Sequence, residues 1–353
     1  MLNSNSEYSL DQKIGQMIIT GFRGTTINEK SVVVKSIQEY HLGSLWLVDN
    51  DGPMSETIGN VESPAQLKTL TNNLQSYGNN SLLLAIDAEG GEVIRLKEKH
   101  GFPQIPSAKY FGDLDNPQLT STNAELVASL LKEAGVNINF APIVDVNSNP
   151  ECPVIGKRGR SFSADPEKVF IHAKEFISAH HEKNIATCLK HFPGHGSSLE
   201  DTHNGFVDVS RTWSEAELVP YKILIAEGLV DSIMTAHIFN SNLDKKYPAT
   251  LSKKIITGLL RDKIGFDGVI FTDDLIMKAI DDHYTYEEAI ELALNAGIDI
   301  IVQGNAAKYN PDIVANTVET IKRLIESGKV TLERIDESFN RIIALKRRFG
   351  LAI

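Results

Sequence analysis

The chain has 353 residues, 42% hydrophobic and 23% charged, with 35 basic against 46 acidic residues and a formal net charge of −11. An acidic chain with no basic stripe is a poor partner for nucleic acid or an anionic membrane; the one triplet, Lys346-Arg347-Arg348, reads as the solvated last turn of a helix. Two cysteines (Cys152, Cys188) are too few for a disulfide framework, no apolar run approaches the roughly 20 residues of a membrane span, and the polar Met1 to Leu10 holds no signal-peptide core, so a cytoplasmic protein is expected.

In chain order, Met17 to Gly21 reads as a first strand and Asn28 to Tyr40 as a helix, with Val32, Val33, Ile37 and Tyr40 on one face. Leu42 to Val48 is a second strand, closing on Asp49 and Asn50. Ser63-Pro64 opens a helix to about Tyr77, because Ser caps well and Pro suits the first helical position. Ser81 to Ile86 is a third strand ending in Asp87-Ala88-Glu89-Gly90-Gly91, and Pro103 and Pro106 punctuate a long loop after it. Gln118 to Glu133 is a helix, and Val136 to Val146 a fourth strand that delivers Asp145. Beyond a loop from Asn149 to Phe162, Asp165-Pro166 starts a helix to about Glu182. Ile185 to Leu189 is a fifth strand and Trp213 to Glu227 a helix. Ser232 to Ala236 is a sixth strand ending at His237, and Ser252 to Lys263 a helix. Gly268 to Thr272 is a seventh strand ending at Asp273-Asp274. Tyr286 to Ala296 is a helix stopped by Gly297, and Ile298 to Val302 an eighth strand. Pro311 to Ser327 and Thr331 to Arg348 are the last helices.

Eight short apolar strands alternating with helices predict a parallel sheet buried on both faces, closed as a single-domain (β/α)8 TIM-type barrel over residues 1–353 with a C-terminal helix at about 331–348. An open doubly wound sheet is the alternative, but no Gly-rich nucleotide fingerprint follows the first strand. Asp49, Asp87, Asp145, Lys190, His191, His237 and Asp273 all fall at the C-terminal ends of predicted strands. In a barrel those ends share one mouth, where the chemistry lies.

The densest cluster runs from Lys190 to His203, with three His, one Lys and two acids. Of the neighbours Asp273 and Asp274 only one should point into the mouth, since adjacent strand residues face opposite ways. Asp273 is the better candidate for an ionised carboxylate that attacks an anomeric carbon, and Asp274 for a cap on the next helix. Asp201 stands two residues before His203, so it can fix the tautomer of a proton-carrying imidazole. Lys190, His191 and Arg160 with Asp87 suit a polyhydroxylated ligand. His191, His195, His203 and His237 also admit a zinc site, but Ile18-Ile19-Thr20 lacks the first-strand His pair that barrel metallohydrolases use.

Lys190-His191-Phe192-Pro193-Gly194-His195-Gly196 followed by Asp201-Thr202-His203 resembles the signature of the β-N-acetylglucosaminidase branch of glycoside hydrolase family 3. The likeness extends to Leu10-Asp11-Gln12-Lys13-Ile14-Gly15-Gln16-Met17, Ile86 to Gly91, Asn139-Phe140-Ala141-Pro142, Asp145-Val146-Asn147, Arg160-Ser161-Phe162 and Thr272-Asp273-Asp274-Leu275 with Met277. The resemblance implies that Asp273 is the nucleophile, that His203 paired with Asp201 is the acid/base, and that Asp87, Arg160, Lys190 and His191 bind the sugar. It also implies a retaining glycosidase without metal or cofactor, and a small glycan substrate drawn from cell-wall fragments or chitin oligosaccharides; a monomer is expected.

Ser197-Ser198 replaces the usual Asp-Thr, Ala88 a common Gln and Glu92 a common Arg, and Arg158-Gly159 is additional; Glu92 bears on the aglycone side. With little chain after Gly304, the sequence resembles a single-domain member. A β-glucosidase or β-xylosidase of the same family, a phosphorylase and a non-catalytic glycan-binding barrel are the rivals. Gly194 to Ser198 reads as a hinge carrying a mobile loop, His195 as a loop-shaping residue, and His203 as able to stand far from Asp273 until substrate binds.

Overall fold

A computed structural model describes residues 8–49, 59–305 and 309–352. Asn50, at the expected close of the second strand, and most of the polar N-terminal stretch lie outside the described residues. Among the described residues eight parallel strands form one sheet: β1 (Ile18–Thr20), β2 (Ser44–Leu47), β3 (Leu83–Ile86), β4 (Ile138–Asn139), β5 (Ala186–Phe192), β6 (Ser232–Thr235), β7 (Val269–Phe271) and β8 (Ile301–Gln303). They pair in the order β7-β6-β5-β4-β3-β2-β1-β8. A parallel bridge between Phe271 and Ile300 brings the two ends together, helped by the Ile300 N–H donating to Ile270 at 3.0 Å. The barrel is therefore closed, as the alternation of strands and helices predicts.

Closure explains the apolar runs. Ile18, Ile19, Leu45, Leu84, Ile86, Ile138 and Leu189 are fully or almost fully buried. Strands covered by helices outside and filled by side chains inside carry no polar face. Phe140 meets Phe271 edge-on at 5.4 Å and Trp46 at 6.0 Å, which packs the interior beneath the mouth.

Several helices begin and end where local chemistry dictates. Ser63 accepts from the Gln66 N–H ahead of Pro64–Tyr77, Asp165 accepts from the Glu167 N–H ahead of Pro166–Glu182, and Thr285 and Glu288 form a capping box ahead of Tyr286–Ala296. The C-terminal helix runs Leu332–Arg348 and the helix before it Ile313–Glu326.

Elsewhere the architecture departs from expectation. β4 is two residues long, not the run from Val136 to Val146: Pro142 offers no N–H to a ladder, so pairing resumes only at Ile143 opposite Lys190. β5 is longer, and carries Lys190, His191 and Phe192 inside the strand. The loop after β3 contains a small hairpin (Ala88–Gly90 with Val93–Ile94) and a helix (Ala108–Leu114) capped by Ser107. The helix expected from Trp213 starts as a 3-10 turn (Glu215–Leu218) and continues as Val219–Ala226. Lys254–Lys263 is a wide, π-type helix.

Candidate functional site

The C-terminal mouth gathers the expected residues from separate strands. Asp87 leaves the end of β3 and receives three donors: Lys190 Nζ at 2.7 Å, Trp46 Nε1 at 3.1 Å and Arg95 at 3.2 Å. Lys190 Nζ also reaches Glu89 at 2.8 Å, and Arg160 grips both oxygens of Glu89, each at 2.8 Å. Asp87, Glu89, Lys190 and Arg160 thus form one buried lattice of alternating charge. Burial alone would raise the Asp87 pKa, but Lys190, Arg95 and Arg160 outweigh it and hold the carboxyl well below its usual range. Burial works against the guanidinium of Arg160 too, and Glu89 more than offsets it. The lattice extends toward β2 through Asp49, which pairs with Lys97 at 2.6 Å and lies 3.7 Å from Arg95.

His191 is set by Asp145. One oxygen of Asp145 lies 2.8 Å from His191 Nδ1, and the other accepts from the backbone N–H groups of His191 (3.1 Å) and His195 (2.8 Å). With Nδ1 tied to the carboxylate, His191 Nε2 is left for the mouth. Burial, and next the charge of Arg160, keeps this imidazole neutral by pushing its pKa well down.

Asp273 follows β7 and is half-buried. Burial by itself would favour its neutral form, yet His237, His191, His203 and the Asp274 N–H together hold its pKa below the usual value. Asp274 does not cap the short helix Lys278–Asp281, contrary to expectation. Its carboxyl instead accepts from the Gly304 N–H at 2.9 Å and the Ile276 N–H at 3.3 Å, tying the β7 loop to the β8 loop. Burial raises the Asp274 pKa to about 7, well above the usual carboxylate range and above that of Asp273 beside it. His237 Nε2–H donates to the Asp274 carbonyl (3.0 Å) and its Nδ1 lies 2.8 Å from the Thr250 hydroxyl, a satisfied imidazole beside Asp273.

On the loop after β5, Asp201 accepts from both the Nδ1 (2.7 Å) and the backbone N–H (2.9 Å) of His203. That hydrogen bond raises the His203 pKa against the opposing effect of burial, and the charge of Asp273 raises it further. Burial acts against the Asp201 carboxylate, but the bond from His203 brings its pKa down to about 2. His203 is exposed and bonded to Asp201 rather than to Asp273, while each still feels the charge of the other. Catalytic hydrogen bonds are often made only once substrate is bound.

Two parts of the site were not anticipated. Glu89 links Lys190 to Arg160, and Glu217 lies beneath the start of the β5 loop. Glu217 is buried, accepts from the Val146 N–H at 3.0 Å and packs directly under Gly194 and Gly196. Burial, next to Asp145, pushes its carboxyl pKa well up. This packing corrects the hinge: residues 191–198 are all buried, and exposure begins only at Leu199. Among the described residues, no group of three or more His, Cys, Asp or Glu converges as a metal-ligand set.

A (β/α)8 fold keeps its chemistry at this mouth, and the charged groups gathered there place the protein among the barrel enzymes. The chain belongs to glycosyl hydrolase family 3: the Glycosyl hydrolase family 3 N terminal domain matches residues 9–345. A beta-hexosaminidase of Tolumonas auensis (strain DSM 9187 / NBRC 110442 / TA 4) is 38% identical over 252 residues, 70% of this chain and 73% of that protein. Beta-hexosaminidase A of Pseudoalteromonas piscicida is 35% identical over 318 residues, 82% of this chain but 52% of that protein. A glycoside hydrolase family 3 beta-N-acetylglucosaminidase from Paenibacillus sp. str. FPU-7 matches with a TM-score of 0.88 at 35% identity, covering 98% of this chain and 64% of that one. The chain therefore spans about half to three-quarters of the length of these relatives.

Proposed function

We propose that the protein is a retaining exo-β-N-acetylglucosaminidase that removes terminal β-linked N-acetylglucosamine from cell-wall fragments or chitin oligosaccharides. The observation that carries the reading is the Asp201–His203 pair, held on a loop within charge reach of an ionised Asp273. A proton carrier and a carboxylate at one mouth can divide glycoside cleavage into two steps.

In the first step Asp273 attacks the anomeric carbon, the bond to the leaving oxygen breaks, and His203 delivers its proton to that oxygen. In the second, neutral His203 takes a proton from water, the hydroxide attacks the same carbon, and Asp273 departs as a carboxylate. Asp201 supports the imidazolium of the resting state. Asp87, Lys190, Arg160 and His191 bind the sugar, with Glu89 and Asp145 holding the last three in place. The names of the relatives, beta-hexosaminidase and beta-N-acetylglucosaminidase, support the choice of sugar. No described helix is long and apolar enough to cross a membrane. The reading includes a cytoplasmic monomer, which fractionation and gel filtration test.

Asp273→Ala and His203→Ala, assayed on aryl β-N-acetylglucosaminides, test the assignment. Asp273→Ala is expected to lose nearly all turnover; turnover near that of the wild type overturns it. His203→Ala is expected to lose about 10²–10⁴-fold where the leaving group is poor, and much less where it is good. Aryl glucosides run alongside separate the β-glucosidase alternative. Sugar 1-phosphate formed in phosphate buffer would instead favour a phosphorylase, a reading the absence of a carboxylate acid/base leaves electrostatically open.

A further inference from the structure

The acid/base loop is exposed at Leu199, Glu200, His203 and Asn204, yet the residue between Asp201 and His203 is not. Thr202 is only 2% exposed. Its hydroxyl lies 3.4 Å from His195 Nε2, and its carbonyl accepts from the Ala279 N–H at 3.3 Å. The first contact belongs to the buried β5 loop. The second belongs to the short helix Lys278–Asp281, which follows Asp273 on the β7 loop. Among the described residues, the hydrogen bonds of the Asp201 and His203 side chains run between these two residues alone, so that pair does not tie the loop to the barrel.

His195 is built as a fixed post for this contact. Its backbone N–H donates to Asp145 at 2.8 Å, and its Nδ1 lies 2.8 Å from Ser198 Oγ, which itself donates to the His195 carbonyl at 3.0 Å. Burial, opposed by the charge of Asp145, lowers the His195 pKa and so favours the neutral ring. A neutral imidazole has one donor and one acceptor nitrogen, and a hydroxyl can serve either. Because the Ser198 hydroxyl proton goes to the His195 carbonyl, Nδ1–H donates to Ser198 Oγ and the bare Nε2 accepts from the Thr202 hydroxyl.

We propose that Thr202 is the positioning residue of the acid/base loop, latching it between His195 and Ala279 and so setting where His203 stands relative to Asp273. The inference rests on the reading of His203 as acid/base and adds what holds it there. It accounts for a buried threonine inside an exposed loop, and it assigns to His195, which among the described residues hydrogen-bonds to neither Asp273 nor His203, a part in the same chemistry. The latch lies beyond the buried segment 191–198 and just before the residue that must find the leaving oxygen, where a small displacement costs most.

Thr202→Val keeps the shape and branching and removes only the hydroxyl, and Thr202→Ser keeps the hydroxyl. The readout is kcat/KM on phenyl and dinitrophenyl β-N-acetylglucosaminides, with inhibition by N-acetylglucosamine as a measure of the sugar subsite. Thr202→Val is expected to lose about tenfold or more on the phenyl substrate and less than about threefold on the dinitrophenyl one, with N-acetylglucosamine inhibition unchanged. Thr202→Ser is expected to restore most of the loss. An equal fall on both substrates, or no fall on either, overturns the latch. The His203→Ala variant keeps the two readings apart. If it discriminates between leaving groups and Thr202→Val does not, the latch alone fails. If His203→Ala does not discriminate, the acid/base reading fails and takes the latch with it.

Discussion

Asp201 acts on the His203 ring through one bond of 2.7 Å, and that bond is the first cause of the raised His203 pKa. Asp201→Asn keeps an oxygen for the Nδ1–H but removes the charge. The protonated imidazole loses its stabilisation, so the His203 pKa falls. An acid must be protonated to act, and the basic limb of kcat/KM should move to lower pH. In the proposed mechanism Asp273 sets the acid limb, which should stay where it is. A pH profile from about pH 4 to about pH 9 on a phenyl glycoside reads both limbs, and an unmoved basic limb would count against the pairing. This pair was legible in the sequence because both partners lie within three residues. Asp273 was legible because it ends an apolar run. Glu217 was not, since its partner Val146 lies 71 residues away, nor was Glu89, 71 residues from Arg160. Asp274 misled for the same reason: a carboxyl beside a helix start reads as a cap, whereas the shorter of its two bonds comes from the Gly304 N–H, on the next strand's loop.

At the scale of elements, helix starts were readable to the residue where the cap is local, as at Ser63-Pro64, Asp165-Pro166 and Thr285. β4 was overdrawn because an apolar run does not say which of its N–H groups find a ladder, and Pro142 has none to offer. The Gly-rich segment after β5 shows how composition alone can mislead about motion. Glycine there permits close approach rather than hinging. A Cβ on Gly196 would lie 1.7 Å from the Val146 carbonyl oxygen, a backbone atom that cannot step aside cheaply. Gly196→Ala should therefore destabilise the protein, by about 3 kcal/mol at the upper end of overpacking costs, and should displace the base of the acid/base loop. Denaturant melts and kcat/KM together check it. A hinge residue would instead accept alanine with little loss of stability, and that outcome would restore the mobile reading of residues 194–198.

Across the whole molecule, function and stability are divided between the two ends of the barrel. The charged lattice and the catalytic candidates stand at the C-terminal mouth. The opposite face carries a broad cleft lined by Tyr8, Gln12, Gln16, His41, Tyr77 and Lys346, and it is this face that anchors the C-terminal helix. Lys346 is only 1% exposed. It donates to Gln16 Oε1 and, at 3.0 Å, to the Gly43 carbonyl, but among the described residues no carboxylate pairs with it. Burial therefore lowers its pKa to about 7. In the unfolded chain the same amine titrates near 10.4, so between about pH 7 and about pH 10 the unfolded state binds more protons than the folded one. Stability from this group consequently rises with pH through that window, by at most about 1.4 kcal/mol per pH unit, and is flat below it where both states are protonated. Lys346→Met keeps the length and removes the titration. The Gly43 carbonyl keeps its bond from the Leu83 N–H, and the part-exposed Gln16 can turn to water, so few polar groups are orphaned. Lys346→Met should be more stable than wild type at pH 7, and that advantage should shrink as the pH rises toward 10. Urea unfolding at a series of pH values reads the difference directly. Two parallel stability curves would mean that the Lys346 ammonium is not held at a cost, and that the N-terminal face accepts a buried charge without penalty.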